Sequence, residues 1–225
     1  GSHQDAIAKG MKYREEKHLH QWNVPYIPID PHDINRTYDA DVIRVNSQSG
    51  KGGIGYLLEQ AYGYVLPAKM REDLSYKCKS VSDHEHKELK ANEVLQIFKS
   101  SYLDTNHGIE IGNMEFSRRA DTVATKIEFI ENGKSEVVEA EGNGSLDAVS
   151  NALKKYTGSA YELSVYTEHS MQGSGSESVA AAYIGLKDAD SSMSWGAGTD
   201  TDIIHASAQA LLNAFENMTH KKENK

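Results

Sequence analysis

The chain has 225 residues, with 33 acidic and 24 basic side chains and a formal net charge of −9. No apolar run approaches the roughly 20 residues of a membrane span, which excludes a helical integral membrane protein. The only cysteine, Cys78, excludes an intrachain disulfide and a multi-cysteine metal site.

No basic segment followed by an apolar one opens the chain, so no secretory signal is expected. The charge is uneven. Residues 1–108 carry 14 basic and 15 acidic side chains, residues 109–219 carry 7 and 17, and the tail 220–225 carries 3 and 1. An acidic second half repels phosphate backbones, so nucleic-acid binding is not expected. All four prolines (Pro25, Pro28, Pro31, Pro67) precede residue 68. The two asymmetries point to two regions of different construction.

Residues 4–22 read as a helix, with Ile7, Met11 and Leu19 near helical spacing. In residues 24–31, prolines at i, i+3 and i+6 predict an extended, polyproline-like segment suited to docking. Residues 33–38 read as one helical turn. A glycine-rich loop at 47–53 leads into an apolar helix over 54–61, then a short strand around 64–66. Pro67 suits the first turn of a helix over roughly 68–81. Residues 82–90 read as a polar loop, and 91–102 as a helix with Val94, Leu95, Phe98 and Tyr102 on one face. The pattern breaks over 105–112.

The second region contains a repeat. Residues 122–130 alternate as a strand, Asn132-Gly133 is a hairpin turn, 135–141 is the return strand, and Gly142-Asn143-Gly144 opens a helix over 145–156. Further on, 179–187 is a strand, 188–192 a polar turn and 193–195 a return strand. Gly196-Ala197-Gly198 then opens a helix over 200–215. A linking strand lies at 161–167. The two Gly-x-Gly elements are 54 residues apart. The expected fold is α+β: small, mostly helical subdomains, then a duplicated strand-turn-strand-helix domain whose sheet carries both helices on one face, related by a pseudo-twofold axis.

Several motifs have bland and functional readings. Glycines before a helix permit a tight turn, while free N–H groups at a helix start attract a carboxylate or phosphate. Ser49-Gly50-Lys51-Gly52-Gly53 fails the spacing of a phosphate loop, and no Ser or Thr follows the lysine. His84-Glu85-His86 has no obvious third ligand, so it reads as a solvated loop and no metal site is assigned. In Glu168-His169-Ser170, adjacent strand residues face opposite ways, so the three form no relay by themselves.

Together, His3-Gln4-Asp5-Ala6-Ile7, Val24-Pro25-Tyr26-Ile27-Pro28-Ile29-Asp30-Pro31 and Arg44-Val45-Asn46-Ser47 through Gly53 resemble the region after the catalytic barrel of 2-isopropylmalate synthases. Gly142-Asn143-Gly144, Tyr166-Thr167-Glu168-His169, Ala180-Ala181-Ala182-Tyr183 and Trp195-Gly196-Ala197-Gly198 resemble that family's C-terminal leucine-sensing domain.

The resemblance runs from about residue 3 to 217. It implies linker subdomains at 1–38 and 39–108, a regulatory and dimerisation domain at 109–219 and a tail at 220–225. The family condenses acetyl-CoA with 2-oxoisovalerate in a (β/α)8 barrel that holds a divalent metal. The resemblance places that barrel outside this sequence, so no acyl transfer and no cofactor are expected of the chain alone.

The resemblance also implies that His3 and Tyr26 reach the neighbouring subunit's active site. It implies leucine feedback through Gly142, Asn143, Gly144, Leu146, Leu163, Tyr166, Ser170 and Ser178. Alternation puts Leu163 and Tyr166 on opposite faces, and a bulge or a pocket shared across a dimer would have to reconcile them. The implied partners are L-leucine, a second copy and the barrel, without nucleic acid or membrane, in the cytoplasm. The alternatives are an isoleucine-sensing citramalate synthase region, a ligand-independent assembly module, and a hydrolase using Glu168, His169 or Cys78.

Overall fold

The computed structural model describes residues 2–35, 51–105, 108–171 and 178–223. Two compact units are present, Gly1–Phe98 and Lys99–Lys225.

In the first unit, α1 (Ser2–Glu16) buries Ile7 and lays Gly10 against Pro25, where an added Cβ would come 2.5 Å from Pro25 Cδ. The helix ends short of residue 22. His18 takes a left-handed φ of 49°, and Leu19 stays exposed, so no buried face sustains further turns.

Residues 24–31 are not polyproline. Ile27 N–H donates to Val24 O at 3.3 Å, and Tyr26 has φ 65°. Proline at the second turn position followed by a positive φ is the pattern of a type II turn. The next turn starts early, as a 3-10 helix over Pro31–Ile34 capped by Asp30 and closed by Asn35 at φ 54°. Residues 36–38 of the predicted turn, like 47–50 of the predicted loop, lie outside the described residues.

Lys51, Gly52 and Gly53 already belong to α2 (Lys51–Tyr62), which buries Ile54, Leu57 and Leu58. Residues 64–66 alternate in burial, with Tyr64 and Leu66 in and Val65 out, but form no strand. No other strand among the described residues of this unit offers a ladder. Helix α3 (Ala68–Glu85) runs past the predicted end at 81 because its buried row, Met70, Leu74 and Cys78, continues to Ser82. The Ser82 hydroxyl donates to Lys87 O at 2.7 Å and ties down the helix end. Helix α4 (Ala91–Phe98) buries Val94 and Phe98.

The second unit opens with a π-helical turn, Lys99–Leu103, that buries Tyr102. Among the described residues six strands follow: β1 (Ile109–Arg119), β2 (Thr122–Glu131), β3 (Lys134–Gly142), β4 (Glu162–Ser170), β5 (Ala180–Lys187) and β6 (Met193–Asp200). Helix α5 (Ser145–Thr157) follows β3, and α6 (Ile203–Glu223) follows β6. The α+β class and the duplication hold. The repeated unit is strand-strand-strand-helix, making two antiparallel three-stranded sheets, β1-β2-β3 and β4-β5-β6, in place of one sheet.

Strand β4 is therefore the first strand of the second repeat and not a linker, and its counterpart β1 is a strand the periodicity hid. Between Ile111 and Met114 the register shifts, so apolar residues fall at 109, 111, 114 and 116 instead of alternating. Asn132 (φ 51°) and Gly133 (φ 74°) make the hairpin turn that Asn-Gly predicts.

Helix α5 packs on β2 and β3, and α6 on β5 and β6. One core joins the repeats through Ile127, Phe129, Leu153, Ile184, Leu211 and Phe215.

The two Gly-x-Gly elements are not equivalent. Gly144 caps α5 in an extended conformation. Gly196 and Gly198 lie inside β6, paired with Ile184 and Ala182, and α6 begins only at Ile203, where the Asp202 carboxylate accepts the Ile204 N–H at 2.7 Å. A Cβ on Gly196 would sit 2.3 Å from Ala210 O, and one on Gly198 2.1 Å from Ala206 O. These glycines let a helix lie against a strand.

The third strand of each repeat has its outer edge sealed by its helix. Asn151 and Lys155 donate to Glu141 O and Glu139 O of β3. Asn213, Asn217 and Lys221, at i, i+4 and i+8, donate to Ala197 O, Trp195 O and Met193 O of β6. Such capping keeps a sheet edge from pairing further.

Candidate functional site

In the second repeat the register of β4 decides the site. Leu163 pairs with Leu186 and Val165 with Gly185, so β4 spends one extra residue, Ser164, in a bulge. Tyr166 then pairs with Ile184, Glu168 with Ala182 and Ser170 with Ala180. Leu186, Ile184, Ala182 and Ala180 alternate on one face of β5, so Leu163, Tyr166, Glu168 and Ser170 share that face. The bulge supplies the reconciliation that simple alternation lacked. The first repeat has a matching bulge in β1, which keeps Ile111 and Met114 on the core side.

This face of the sheet is the one α6 covers, since Gly196 and Gly198 pair into it. The Tyr166 side chain spans from strand to helix. Its hydroxyl donates to Glu168 and lies 2.9 Å from the Ser207 Oγ on α6. Ser207 is buried, and its Oγ also lies 2.7 Å from Ile203 O. Burial raises the Tyr166 phenol above its ordinary pKa and the Glu168 carboxylate adds to this, while Ser207 opposes it. Tyr166 therefore stays a neutral donor through the physiological range. Ser170 and Ser178 hydrogen-bond to each other, and Ser178 also donates to Met171 O at 3.3 Å.

The remaining predicted effector residues lie where α5 begins. Gly142 is buried at the end of β3, where a Cβ would come 2.4 Å from Ala148 N. Asn143 is exposed, and its N–H donates to Asp147 Oδ2 at 2.9 Å. Gly144 caps the helix without a side-chain hydrogen bond, which leaves the first-turn N–H groups open to an anion. Leu146 and Leu163 are both half-buried against the one core. No hydrogen bond among the described residues joins the start of α5 to the β4 cluster.

His169 pairs with Ala181 on the opposite face, its ring stacked on Tyr183 with centroids 5.7 Å apart. Glu168, His169 and Ser170 thus form no relay. Cys78 is fully buried, and burial raises its thiol to about pKa 12, which keeps it unreactive. His84 and Glu85 occupy the last turn of α3 and His86 is its left-handed cap, not a loop, and all three are exposed. No group of three or more possible metal ligands occurs among the described residues. A groove of about 430 Å³ lined by Glu115, Arg119, Lys126, Glu139, Glu141 and Lys155 contains none of the predicted effector residues, and its cations are already engaged by Glu139 and Glu141.

In the first unit, His3 and Tyr26 are brought together, their ring centroids 4.3 Å apart. Tyr26 is 66% exposed despite its left-handed backbone. A bulky residue at positive φ persists only where its surroundings enforce it. Here the Trp22 indole donates to Ile27 O at 2.7 Å, Arg14 lies over the Trp22 ring, and Arg14 pairs with Asp30 at 3.4 Å. Burial pushes the Asp30 carboxyl up, but hydrogen bonds from His32 and the charges of His32 and Arg14 outweigh it and hold the pKa below the usual value. Trp22, Arg14, Asp147 and Ser207 were not picked out by their local sequence pattern.

The fold is thus a duplicated three-strand-and-helix domain preceded by a small helical unit. A family described as "LeuA allosteric (dimerisation) domain" matches residues 88–219, and the chain belongs to that family. A second family, "Alpha-isopropylmalate synthase, post-catalytic domain-like", matches residues 1–59.

The chain is 48% identical over 219 residues to a 2-isopropylmalate synthase of Desulfitobacterium hafniense (strain Y51), covering 97% of this chain and 39% of that protein. It is 42% identical over 223 residues to the 2-isopropylmalate synthase of Helicobacter hepaticus, covering 96% and 40%. For that of Parvibaculum lavamentivorans the identity is 40% over 215 residues, covering 95% and 37%. The chain spans about two fifths of the length of these curated relatives. No described helix is long and apolar enough to cross a membrane.

Proposed function

We propose that this chain is the regulatory and dimerisation part of a 2-isopropylmalate synthase. In this reading it binds L-leucine as a feedback effector in the cytoplasm and is inactive in acyl transfer by itself. The observation that carries the reading is the shared face of Leu163, Tyr166 and Ser170, created by the bulge at Ser164. It combines apolar surface with fixed hydroxyl groups beside a buried helix, which suits a small aliphatic amino acid.

The start of α5 at Gly144, which has no side-chain cap, supplies N–H groups for the effector's carboxylate, within one protomer or across a dimer. A homodimer is supported by the family description and by the half-exposed inner face of β1, where Ile109, Ile111, Met114 and Phe116 are only partly covered. His3 and Tyr26 act at the active site of a neighbouring subunit's barrel. Effector binding biases their position through the dimer, and the coupling is reciprocal.

Calorimetric titration with L-leucine, together with sedimentation of the same sample, tests this. A saturable heat on a dimer supports it. Absence of heat at millimolar leucine overturns it, and preferential binding of isoleucine transfers the reading to a citramalate synthase region.

A further inference from the structure

We propose that Glu168 is the carboxylate that holds the effector's α-ammonium group, and so sets specificity for amino acids over the corresponding carboxylic acids. The assignment rests on the amino-acid reading above and deepens it. Glu168 is one same-face step beyond Tyr166 on β4, about 7 Å along the strand. It is exposed, and among the described residues its partner is the Tyr166 hydroxyl, with no cation paired to it. On the first sheet, Glu139 and Glu141 are instead paired, with Lys126 and Arg119.

The surroundings direct Glu168 toward a small cation. Tyr166 is braced by Ser207 of α6, and Tyr166 in turn fixes one carboxylate oxygen of Glu168, which leaves the second oxygen open. Across the ladder stand Ala182, buried under α6, and Ala180, half-buried, so Glu168 lies on the exposed margin of this face. Ile203, one helical turn before Ser207, is half-buried and supplies apolar surface nearby. A primary ammonium offers three donors, and its hydrogen bond to a carboxylate is charge-assisted. A lysine or arginine head would make the same bond, but an amino acid can also lay an aliphatic side chain on Ile203 and the tyrosine ring.

The test compares L-leucine with 4-methylpentanoate, the same carbon skeleton without the amine, by calorimetry on the whole chain and on Glu168→Gln. Glutamine keeps the size and an acceptor for Tyr166 but removes the charge. The wild-type chain is expected to prefer leucine by roughly ten- to a hundredfold. Glu168→Gln is expected to lose most of that preference through weaker leucine binding, with an unchanged thermal midpoint and unchanged affinity for 4-methylpentanoate. A Glu168→Gln chain that binds leucine with wild-type affinity and preference overturns the Glu168 assignment alone. A wild-type chain that binds neither compound overturns the amino-acid reading and the assignment with it.

Discussion

The two Gly-x-Gly elements look alike in sequence, and one substitution made in both separates their roles. Gly198→Ser puts a Cβ 2.1 Å from Ala206 O and 2.8 Å from Ala210 N, whereas ordinary contact begins at 3.4 Å. The obstructing atoms are backbone, and Ala206, Ala210 and Ala214 are fully buried on this side of α6, so no flexible side chain can yield. Strand and helix must separate by about 1.3 Å, the difference between 3.4 and 2.1. Overpacking of this kind costs about 1–3 kcal/mol. For a domain of this size that lowers the thermal midpoint by roughly 4–10 °C.

Gly144→Ser meets nothing within 4 Å, and φ −158° with ψ 177° is the extended backbone that an N-cap serine adopts. Its hydroxyl can accept a first-turn N–H while Asp147 already reaches back to Asn143 N–H, so a gain of a few tenths of a kcal/mol is expected. Differential scanning calorimetry of both variants should show shifts of opposite sign. Equal shifts, or a larger loss at Gly144, would refute the claim that Gly198 serves helix–strand contact and Gly144 does not.

Three further outcomes follow from the same contacts. Asn217→Leu leaves Ser101 O and Trp195 O without their shared donor, and should destabilise the second unit by about 1–3 kcal/mol in urea unfolding. Trp22→Phe removes the indole N–H together with part of the ring that Arg14 lies over; loss of the hydrogen bond alone costs about 0.5–1.5 kcal/mol, and the change should abolish the NMR cross-peak between the His3 and Tyr26 rings. Asp30 has a lowered folded pKa, so its contribution is complete above the unfolded value of about 3.9 and is lost as pH falls through the folded value. Trp22 fluorescence should therefore report loosening of this turn below about pH 4 in the wild-type chain, and Asp30→Asn should show it already at neutral pH.

Strands β2, β3 and β5 and helix α5 could be read from sequence because each has an unbroken period and a recognisable turn, Asn132-Gly133 being the clearest. Strand β1 was hidden because its bulge between Ile111 and Met114 shifts the apolar phase halfway along. The bulge at Ser164 hides the site in the same way: it places Leu163 and Tyr166 together although their numbers differ by three. The end of α3 was misread because Ser82 counts as polar in sequence, yet it is buried and its hydroxyl is satisfied by Lys87 O. The start of α6 was read three residues early because Gly196 and Gly198 resemble a helix opening, while their reason for being glycine is a helix lying across them. Ser207 and Trp22 carry no local pattern, since their partners lie across the fold or across a turn.

The most direct test of the central claim, an effector site on the α6 side of β4, is an amide-resolved NMR titration of the isotope-labelled chain with L-leucine. The account predicts saturable shift changes concentrated at Leu163, Tyr166, Glu168, Ser207 and the first turn of α5, with the first unit's core, such as Leu58 and Leu74, unmoved. Leucine that shifts nothing on β4, or whose largest effects fall on the groove around Glu115 and Lys126, would contradict it.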